Sequence, residues 1–145
     1  MTETGKSEIV WRPTKEYLER SRIARFMRAQ GVADLATLQR RSIAEPEWYW
    51  DAVVKDLGIR WSKPYTRVLD LSRGIAWPRW FEGGLLNFAD NCVDRHVDAG
   101  RGAKPAIVWE GDDGQSRTLS YAELAREVAR LANALKRLGV GEGDR

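Results

Sequence analysis

The sequence predicts an α/β fold, or α+β for the chain taken as an isolated piece, from three observations. Apolar residues recur at helical spacing in stretches that end at Gly58 and Gly139. An apolar run over 105–109 is followed by a glycine-flanked turn, which indicates a strand and a hairpin. With 145 residues the chain is long enough for one domain.

The composition disfavours several classes of protein. The net charge of +3 is spread evenly along the chain, whereas a nucleic-acid binder concentrates its positive charge. The apolar runs are far shorter than the roughly 20 residues that span a bilayer, and Met1 to Val10 has no apolar stretch typical of a signal peptide. The single cysteine excludes an internal disulfide, and no Cys/His framework for zinc is present. We therefore expect a cytoplasmic protein without membrane or nucleic-acid partners.

The leader segment, residues 1–34, is predicted to hold one helix after a frayed start. Pro13 has the fixed φ that suits a helix start, and Gly31 supplies a left-handed stop after about Gln30. The side chains expected to face inward are Leu18, Ile23, Phe26 and Met27.

The next segment, 35–84, is predicted to be helical and then extended. Asp34 is expected to cap a short helix, and Ser42 to Glu45 has the spacing of a capping box, with Pro46 just inside the following helix. That helix presents one apolar face, formed by Trp50, Val53, Val54 and Leu57. Residues 59–84 are rich in aromatic residues without sustained periodicity, so we expect a strap held in place by aromatic side chains.

The last segment, 85–145, is predicted to run helix, strand, hairpin and helix. The first helix carries an apolar stripe of Leu85, Phe88, Ala89, Cys92, Val93 and His96. A buried strand over 105–109 returns as a hairpin partner over 116–119. The second helix begins at a capping box from Ser120 to Glu123, and its apolar face consists of Leu124, Val128, Leu131, Leu135 and Leu138. If that face is packed, the change Leu131→Ala or Leu135→Ala costs about 2–5 kcal/mol.

A strand–hairpin–helix unit of this kind normally leads to another strand that pairs with the first. Two strands are too few for a self-sufficient sheet and leave an open edge. We therefore expect residues 85–145 to be the incomplete start of a larger α/β domain, or a unit that needs a partner.

Cys92 and His96 form the one pair of residues with the spacing of a reactive site. Four residues apart on a helix, their side chains can reach one metal ion or form a nucleophile–base pair. The simpler interpretation places both in the apolar stripe, with cysteine acting as a small hydrophobic residue. Asp94 lies on another face of that helix, so no carboxylate completes a ligand set. We favour the apolar interpretation.

Other groups of residues also have simpler interpretations than a functional one. The glycines near residue 140 close a helix, whereas a phosphate loop opens one, and those at 83–84 suit a bend. The paired aspartates lie on a surface turn, which lacks the desolvation expected of paired catalytic acids. The tryptophans suit packing, and the arginine run is interleaved with glutamates, as on a solvated face. The residues concerned are Gly139, Gly141, Gly143, Gly83, Gly84, Asp112, Asp113, Arg20, Arg22, Arg25 and Arg28. We predict no catalytic, cofactor-binding or metal-binding residue in this chain.

Six strings, in the same order, resemble the N-terminal region of the acetyl-CoA synthetases. They are SIAEPEWYW (42–50), WFEGGLLN (80–87), NCVDRH (91–96), AIVWEGD (106–112), TLSYAEL (118–124) and LANAL (131–135), the last continuing to Gly143-Asp144. The resemblance covers roughly residues 35–145. The opening, 11–31, is more similar to the leader of the acetoacetyl-CoA synthetase type.

This resemblance implies membership of the AMP-forming acyl-CoA synthetases, within the adenylate-forming superfamily. Such enzymes join a carboxylic acid to ATP, release pyrophosphate and pass the acyl group to coenzyme A. Their phosphate loop, their acid- and adenine-binding segments and their catalytic lysine have no counterpart in this sequence. The resemblance therefore implies ATP, Mg and coenzyme A for a full-length parent and a structural role for this chain. It also identifies 85–145 as the start of the large adenylate-forming domain.

A second hypothesis treats the chain as a stand-alone interaction module. In that case the open edge of the strand from Ala106 to Trp109 would pair with a partner chain, such as a complementary synthetase fragment.

Overall fold

The structure, a computed structural model, describes residues 10–144. Their contacts divide them into two units, which are described separately: residues 10–58 with 68–78, and residues 59–67 with 79–144. The predicted mixture of helices and short antiparallel strands is confirmed. The predicted segment boundaries after residues 34 and 84 stay predictions.

The elements are as follows. The α-helices are α1 Lys15–Arg20, α2 Arg22–Ala29, α3 Leu35–Ala44, α4 Pro46–Asp56 and α5 Tyr121–Arg137. The strands are β1 Arg67–Asp70, β2 Arg79–Glu82, β3 Pro105–Glu110 and β4 Ser116–Ser120. Two π-helical segments, π1 Asp90–Asp94 and π2 Val97–Arg101, lie within the helical stretch from 88 to 101.

The predicted leader helix is two helices, because Ser21 leaves the helical conformation. Its backbone is extended (φ −60°, ψ 150°), and its hydroxyl accepts a hydrogen bond from the Ala24 N–H at 3.2 Å. A serine that caps the following helix in this way ends the preceding one. The prediction of one inward face is wrong in part: Phe26 is buried, but Leu18 and Ile23 are exposed.

The first unit has a small apolar core that α2, α3 and α4 share. Its buried members are Phe26, Val32, Leu38 and Ala52, and Leu38 is only 3% exposed. The Tyr49 ring meets the Phe26 ring edge to face, with 6.2 Å between centroids. The residues of this cluster therefore come from three helices and from the loop that carries Val32.

The predicted cap of α3 is confirmed, and the predicted capping box of α4 is wrong. Asp34 caps α3 as expected, since its carboxylate accepts a hydrogen bond from the Thr37 N–H at 2.7 Å. Ser42 does not open a capping box, because it lies inside α3 and donates to the Gln39 carbonyl. The helix α4 begins at Pro46 with no side-chain cap. Proline at the first position leaves one fewer N–H to satisfy.

The apolar face predicted for α4 is only partly buried. Val53 and Val54 are half-buried, whereas Trp50 and Leu57 are exposed, and Ala52 is the buried residue of this helix. Gly58 follows the helix in the left-handed conformation, as predicted.

In the second unit, two backbone pairings hold the start and the end of the aromatic strap together. The Leu85 N–H donates to the Lys63 carbonyl at 2.9 Å, and the Ser62 N–H donates to the Leu85 carbonyl at 2.8 Å. Further along, the Thr66 N–H donates to the Glu82 carbonyl at 2.9 Å. Leu85 therefore lies in an extended pairing, and its predicted place on a helix is wrong.

The helix expected after residue 85 is helical only from residue 88 and contains π1 and π2. Hydrogen bonds from i to i+5 widen the turn, so residues spaced for an α-helix do not share one face. Val93 is buried as expected, but Phe88 is 76% exposed and Cys92 is exposed. Gly100, in the left-handed conformation (φ 71°), kinks π2.

The predicted hairpin is confirmed, but the expected burial of its first strand is not. β3 and β4 are antiparallel, with Ile107 opposite Leu119 and Trp109 opposite Arg117, and a bulge lies near Ala106. The strand β3 was expected to be buried, yet its apolar side chains are exposed.

The helix α5 has the ends that the sequence predicts. The Ser120 hydroxyl accepts from the Glu123 N–H, and the Glu123 carboxylate accepts from the Ser120 N–H at 2.8 Å, which completes the capping box. At the other end Gly139 is left-handed, and the Val140 N–H returns to the Leu135 carbonyl at 3.1 Å. None of the side chains of α5 is fully buried.

Candidate functional site

Arg60 connects the start of the second unit to its helical stretch. Its guanidinium lies 2.8 Å from a carboxylate oxygen of Asp98 and 3.3 Å from one of Asp90. The hydrogen bond that Arg60 donates to Asp98 contributes most to raising the pKa of Arg60, and the charge of Asp90 adds to it. One cation thus bridges π1 and π2.

Asn91 reinforces the same connection through the backbone. Its side-chain oxygen accepts from the Arg60 N–H at 2.8 Å, and its amide nitrogen donates to the Arg60 carbonyl at 2.9 Å. The same nitrogen donates to the Asn87 carbonyl at 3.0 Å. Asn91 is 8% exposed, so a buried amide meets its hydrogen-bonding needs by fixing the chain at residue 60.

His96 and Cys92 do not form a reactive pair in this arrangement. The His96 ring packs on the Tyr121 ring, with 4.5 Å between centroids, at the first residue of α5. Burial lowers the pKa of His96, and the nearby cations Arg101, Arg95 and Arg60 lower it further. His96 therefore connects the helical stretch to α5, while Cys92 faces solvent.

Three aromatic residues of the strap form one cluster in the second unit. Trp61, Tyr65 and Phe81 have ring centroids between 5.1 and 5.4 Å apart. Gly84 lies so close to this cluster that a Cβ there would be 2.8 Å from the Trp61 ring. Phe81 itself has a positive φ of 50°, which side chains rarely adopt. The strap is thus held by aromatic packing, as predicted, although Trp77 is 67% exposed.

A shallow cleft of about 380 Å³ lies on one face of the hairpin. Its lining consists of Ile107, Trp109, Arg117 and Leu119, which the register brings together as two cross-strand pairs. The cleft is mainly apolar with one guanidinium, so it suits a packed side chain better than a reacting substrate.

The helix α5 also exposes apolar residues in the second half of its length. Leu131 and Leu138 are 62% and 80% exposed, and Leu135 and Val140 are exposed as well. The predicted packing of the α5 face is therefore wrong for its C-terminal half within the described residues. A loss of about 2–5 kcal/mol for Leu131→Ala is not expected, because the leucine is not buried.

The remaining candidate residues have structural roles, as the sequence analysis favoured. In the arginine run, Arg20 pairs with Glu16 and Arg22 pairs with Asp56. Asp113 accepts from the Gln115 N–H within an exposed turn. A Cβ atom at Gly139 or Gly143 would have no neighbour within 4 Å. Close approach of another group therefore does not require a glycine at either position.

The described residues were also compared with the ligand groupings of metal sites. Across residues 10–144, no three His, Cys, Asp or Glu residues are grouped so as to hold a metal ion. None of the helices described is long and apolar enough to cross a membrane. The described residues do expose apolar side chains in the hairpin cleft and on α5.

Sequence reasoning missed the network around Arg60. No local signal was available, because Asn91 lies outside the predicted apolar stripe and follows another polar residue, Asp90. The partner itself, 31 positions earlier in the chain, carries no local pattern that identifies it.

Comparison with protein families gives two adjacent matches. Residues 35–92 match the family described as the acetyl-coenzyme A synthetase N-terminus. Residues 93–145 match the AMP-binding enzyme family.

Individual relatives agree with these matches. The chain is 44% identical over 133 residues to an acetyl-coenzyme A synthetase of Deinococcus radiodurans, which covers 92% of this chain and 19% of that protein. It is 37% identical over 138 residues to one of Burkholderia lata, with 95% and 21% covered. The chain thus spans about a fifth of the length of these relatives.

A solved structure shows the same fold. An acetoacetyl-CoA synthetase from Streptomyces lividans superposes with a TM-score of 0.80 at 32% sequence identity. The superposition covers 93% of this chain and 22% of that one.

Proposed function

We propose a function from the premise that this chain belongs to the AMP-forming acyl-CoA synthetases and corresponds to their N-terminal region. The chain is the N-terminal portion of an acid–CoA ligase and has a structural role in it. The whole ligase converts ATP, a short carboxylic acid and coenzyme A into acyl-CoA, AMP and pyrophosphate. We place that ligase in the cytoplasm.

The observation that carries this proposal is the apolar surface of the second unit. Ile107 and Trp109 on β3 and Leu131 on α5 are exposed, although each belongs to a regular element with a defined register or cap. An element with such definite ends and so little burial is suited to packing against further protein. We propose that the partner covering this surface is the remainder of the synthetase.

Cofactor chemistry belongs to that remainder. The described residues hold no group of acidic or histidine side chains for Mg, and their glycines do not open a helix next to a lysine. ATP, Mg and coenzyme A are therefore proposed as ligands of the whole ligase, and no catalytic role is assigned to a residue of this chain.

Complementation tests the proposal. The 145-residue chain would be co-expressed with the Deinococcus radiodurans synthetase lacking the 133 residues that align with it. We expect acetate-dependent pyrophosphate release from the mixture and none from either piece alone. The matched control supplies the relative's own 133 residues in trans. Turnover by the 145-residue chain alone, or restoration by the control but not by this chain, contradicts the proposal.

The open edge of β3 supports a second mode of contact within the same assembly. Among the described residues, β3 pairs only with β4, so its other edge is available for a further strand. We expect amide hydrogen exchange over 106–109 to slow when the complementary piece is added. Exchange that stays the same in an active complex would exclude strand pairing and leave side-chain packing as the mode of contact.

A further inference from the structure

The start of α5 is joined to the chain just after the helical stretch by a short, close-packed junction. The Tyr121 N–H donates to the Lys104 carbonyl at 3.0 Å, and the Ala122 N–H donates to the Gly102 carbonyl at 2.9 Å. A Cβ at Gly102 would lie 3.5 Å from the Ala122 Cβ, in ordinary van der Waals contact. We call these four residues, together with His96, the α5 junction.

His96 contributes to the junction from the side of the helical stretch. Its ring packs on the Tyr121 ring, with 4.5 Å between centroids and 41° between the ring planes. Both residues are half-buried. A neutral imidazole suits this position, because a charged ring loses hydration when another ring covers it.

The charges that act on His96 are all positive. They belong to Arg60 before the helical stretch, to Arg95 within it and to Arg101 at its end. Partial burial contributes most to lowering the pKa of His96, and these three guanidinium groups lower it further. The face of an aromatic ring attracts a cation, but we expect the repulsion and the lost hydration to outweigh that attraction.

Three carboxylates on the helical stretch and on α5 have other partners. Asp98 and Asp90 lie 2.8 and 3.3 Å from the Arg60 guanidinium. Glu123 accepts a hydrogen bond from the Ser120 N–H at 2.8 Å. None of the three is among the charges that act on the histidine.

We propose that the α5 junction is a pH-sensitive connection, which is closed when the His96 ring is neutral and opens when that ring takes up a proton. Protonation adds a fourth cation to the three guanidinium groups and separates the two rings. The start of α5 is then released, and the N–H groups of Tyr121 and Ala122 lose their hydrogen bonds. This inference concerns the 145-residue chain alone and does not depend on complementation.

Acidification is the direction that weakens the junction. Because the folded chain lowers the pKa of His96, the neutral ring stabilises the junction fully above the ordinary histidine pKa of 6.5. That stabilisation is lost as the pH falls through the ordinary value towards the lowered one. Hydrogen bonds from Ser120 lower the pKa of Glu123, so the capping box stays charged between about pH 7.5 and 5.5.

Amide hydrogen exchange at Tyr121 and Ala122, corrected for its intrinsic dependence on pH, tests the proposal in the 145-residue chain. We expect the protection of these two amides to fall about fivefold between about pH 7.5 and 5.5. The Gln30 amide, which donates to the Phe26 carbonyl in the first unit, is the internal control and should keep its protection. Protection at the junction that stays the same or rises on acidification overturns the proposal.

Two variants separate the charge of His96 from other effects of acid. His96→Gln carries no proton in this pH range, so the junction amides should have equal protection at both ends of it. Arg101→Gln leaves the ring contact in place and removes one of the three cations, so it should make the fall smaller. Arg130→Gln, an exposed arginine that pairs with Glu127 on α5, is the matched control and should leave the fall unchanged.

Either variant can overturn the proposal. A fall in His96→Gln as large as that in the unchanged chain would show that another group opens the junction. If circular dichroism shows that His96→Gln has lost its helices, Arg101→Gln decides the matter. A fall in Arg101→Gln equal to that in the unchanged chain would then contradict a role for the surrounding cations.

Discussion

The two units of this chain use their apolar residues in opposite ways. In the first unit, helices with modest local signals share buried side chains, among them Phe26 and Leu38. In the second, α5 has a complete capping box and a left-handed glycine stop, yet buries none of its side chains fully. Helix ends are therefore determined locally, whereas burial depends on what else is available to pack against.

The largest loss of stability is expected in the core of the first unit, and measuring it tests the contrast between the two units. Leu38→Ala should lower the free energy of unfolding by about 2–5 kcal/mol, because it empties a buried position. Leu35→Ala, on the same helix but exposed, is the control and should change it by no more than about 0.5 kcal/mol. Urea unfolding followed by circular dichroism measures both.

Leu131→Ala on α5 is the matched change in the second unit. It should behave like the exposed control and not like Leu38→Ala, because Leu131 is 62% exposed. A loss above about 2 kcal/mol at Leu131 would mean that the second unit has a core of its own, and the contrast between the units would fail.

An intermediate loss of stability is expected on changing Asn91, the buried amide of the second unit. Asn91→Asp removes the donor that reaches the carbonyls of Arg60 and Asn87. An acceptor facing two carbonyls in a buried position should cost about 1–3 kcal/mol. Asn133→Asp, exposed on α5, is the control for the added charge, and equal losses at both positions would show that the connection to residue 60 is dispensable.

The smallest loss of stability is expected on changing the capping box of α5, and this loss depends on pH. Ser120→Ala should cost about 0.5–2 kcal/mol at neutral pH. The backbone and hydroxyl hydrogen bonds from Ser120 lower the pKa of Glu123, so their contribution is present above the ordinary glutamate pKa. That contribution is lost as the pH falls through the lowered pKa that Glu123 has in the folded chain.

The difference between wild type and Ser120→Ala should therefore shrink on acidification. Ser42→Ala is the control, because that hydroxyl lies inside α3 and caps nothing. Urea unfolding at neutral and acidic pH measures both changes. A difference that is the same at both pH values would contradict the link between the cap and the Glu123 charge.

Patterns between near neighbours in sequence were good guides to this structure. The cap at Asp34, the box from Ser120 to Glu123 and the hairpin all depend on residues a few positions apart or on one turn. The failures also have local causes. Ser21 competes with the helix for hydrogen bonds, and the π-helical segments shift the face on which Phe88 and Cys92 lie.

The sequence by itself determined where most helices, strands and turns begin and end, because caps, turn glycines and strand pairs act over short distances. Only the tertiary structure decided which apolar faces are covered and that Arg60 meets Asn91, Asp90 and Asp98. Burial and long-range hydrogen bonds depend on segments far apart in the chain, and no local pattern records which of them will meet.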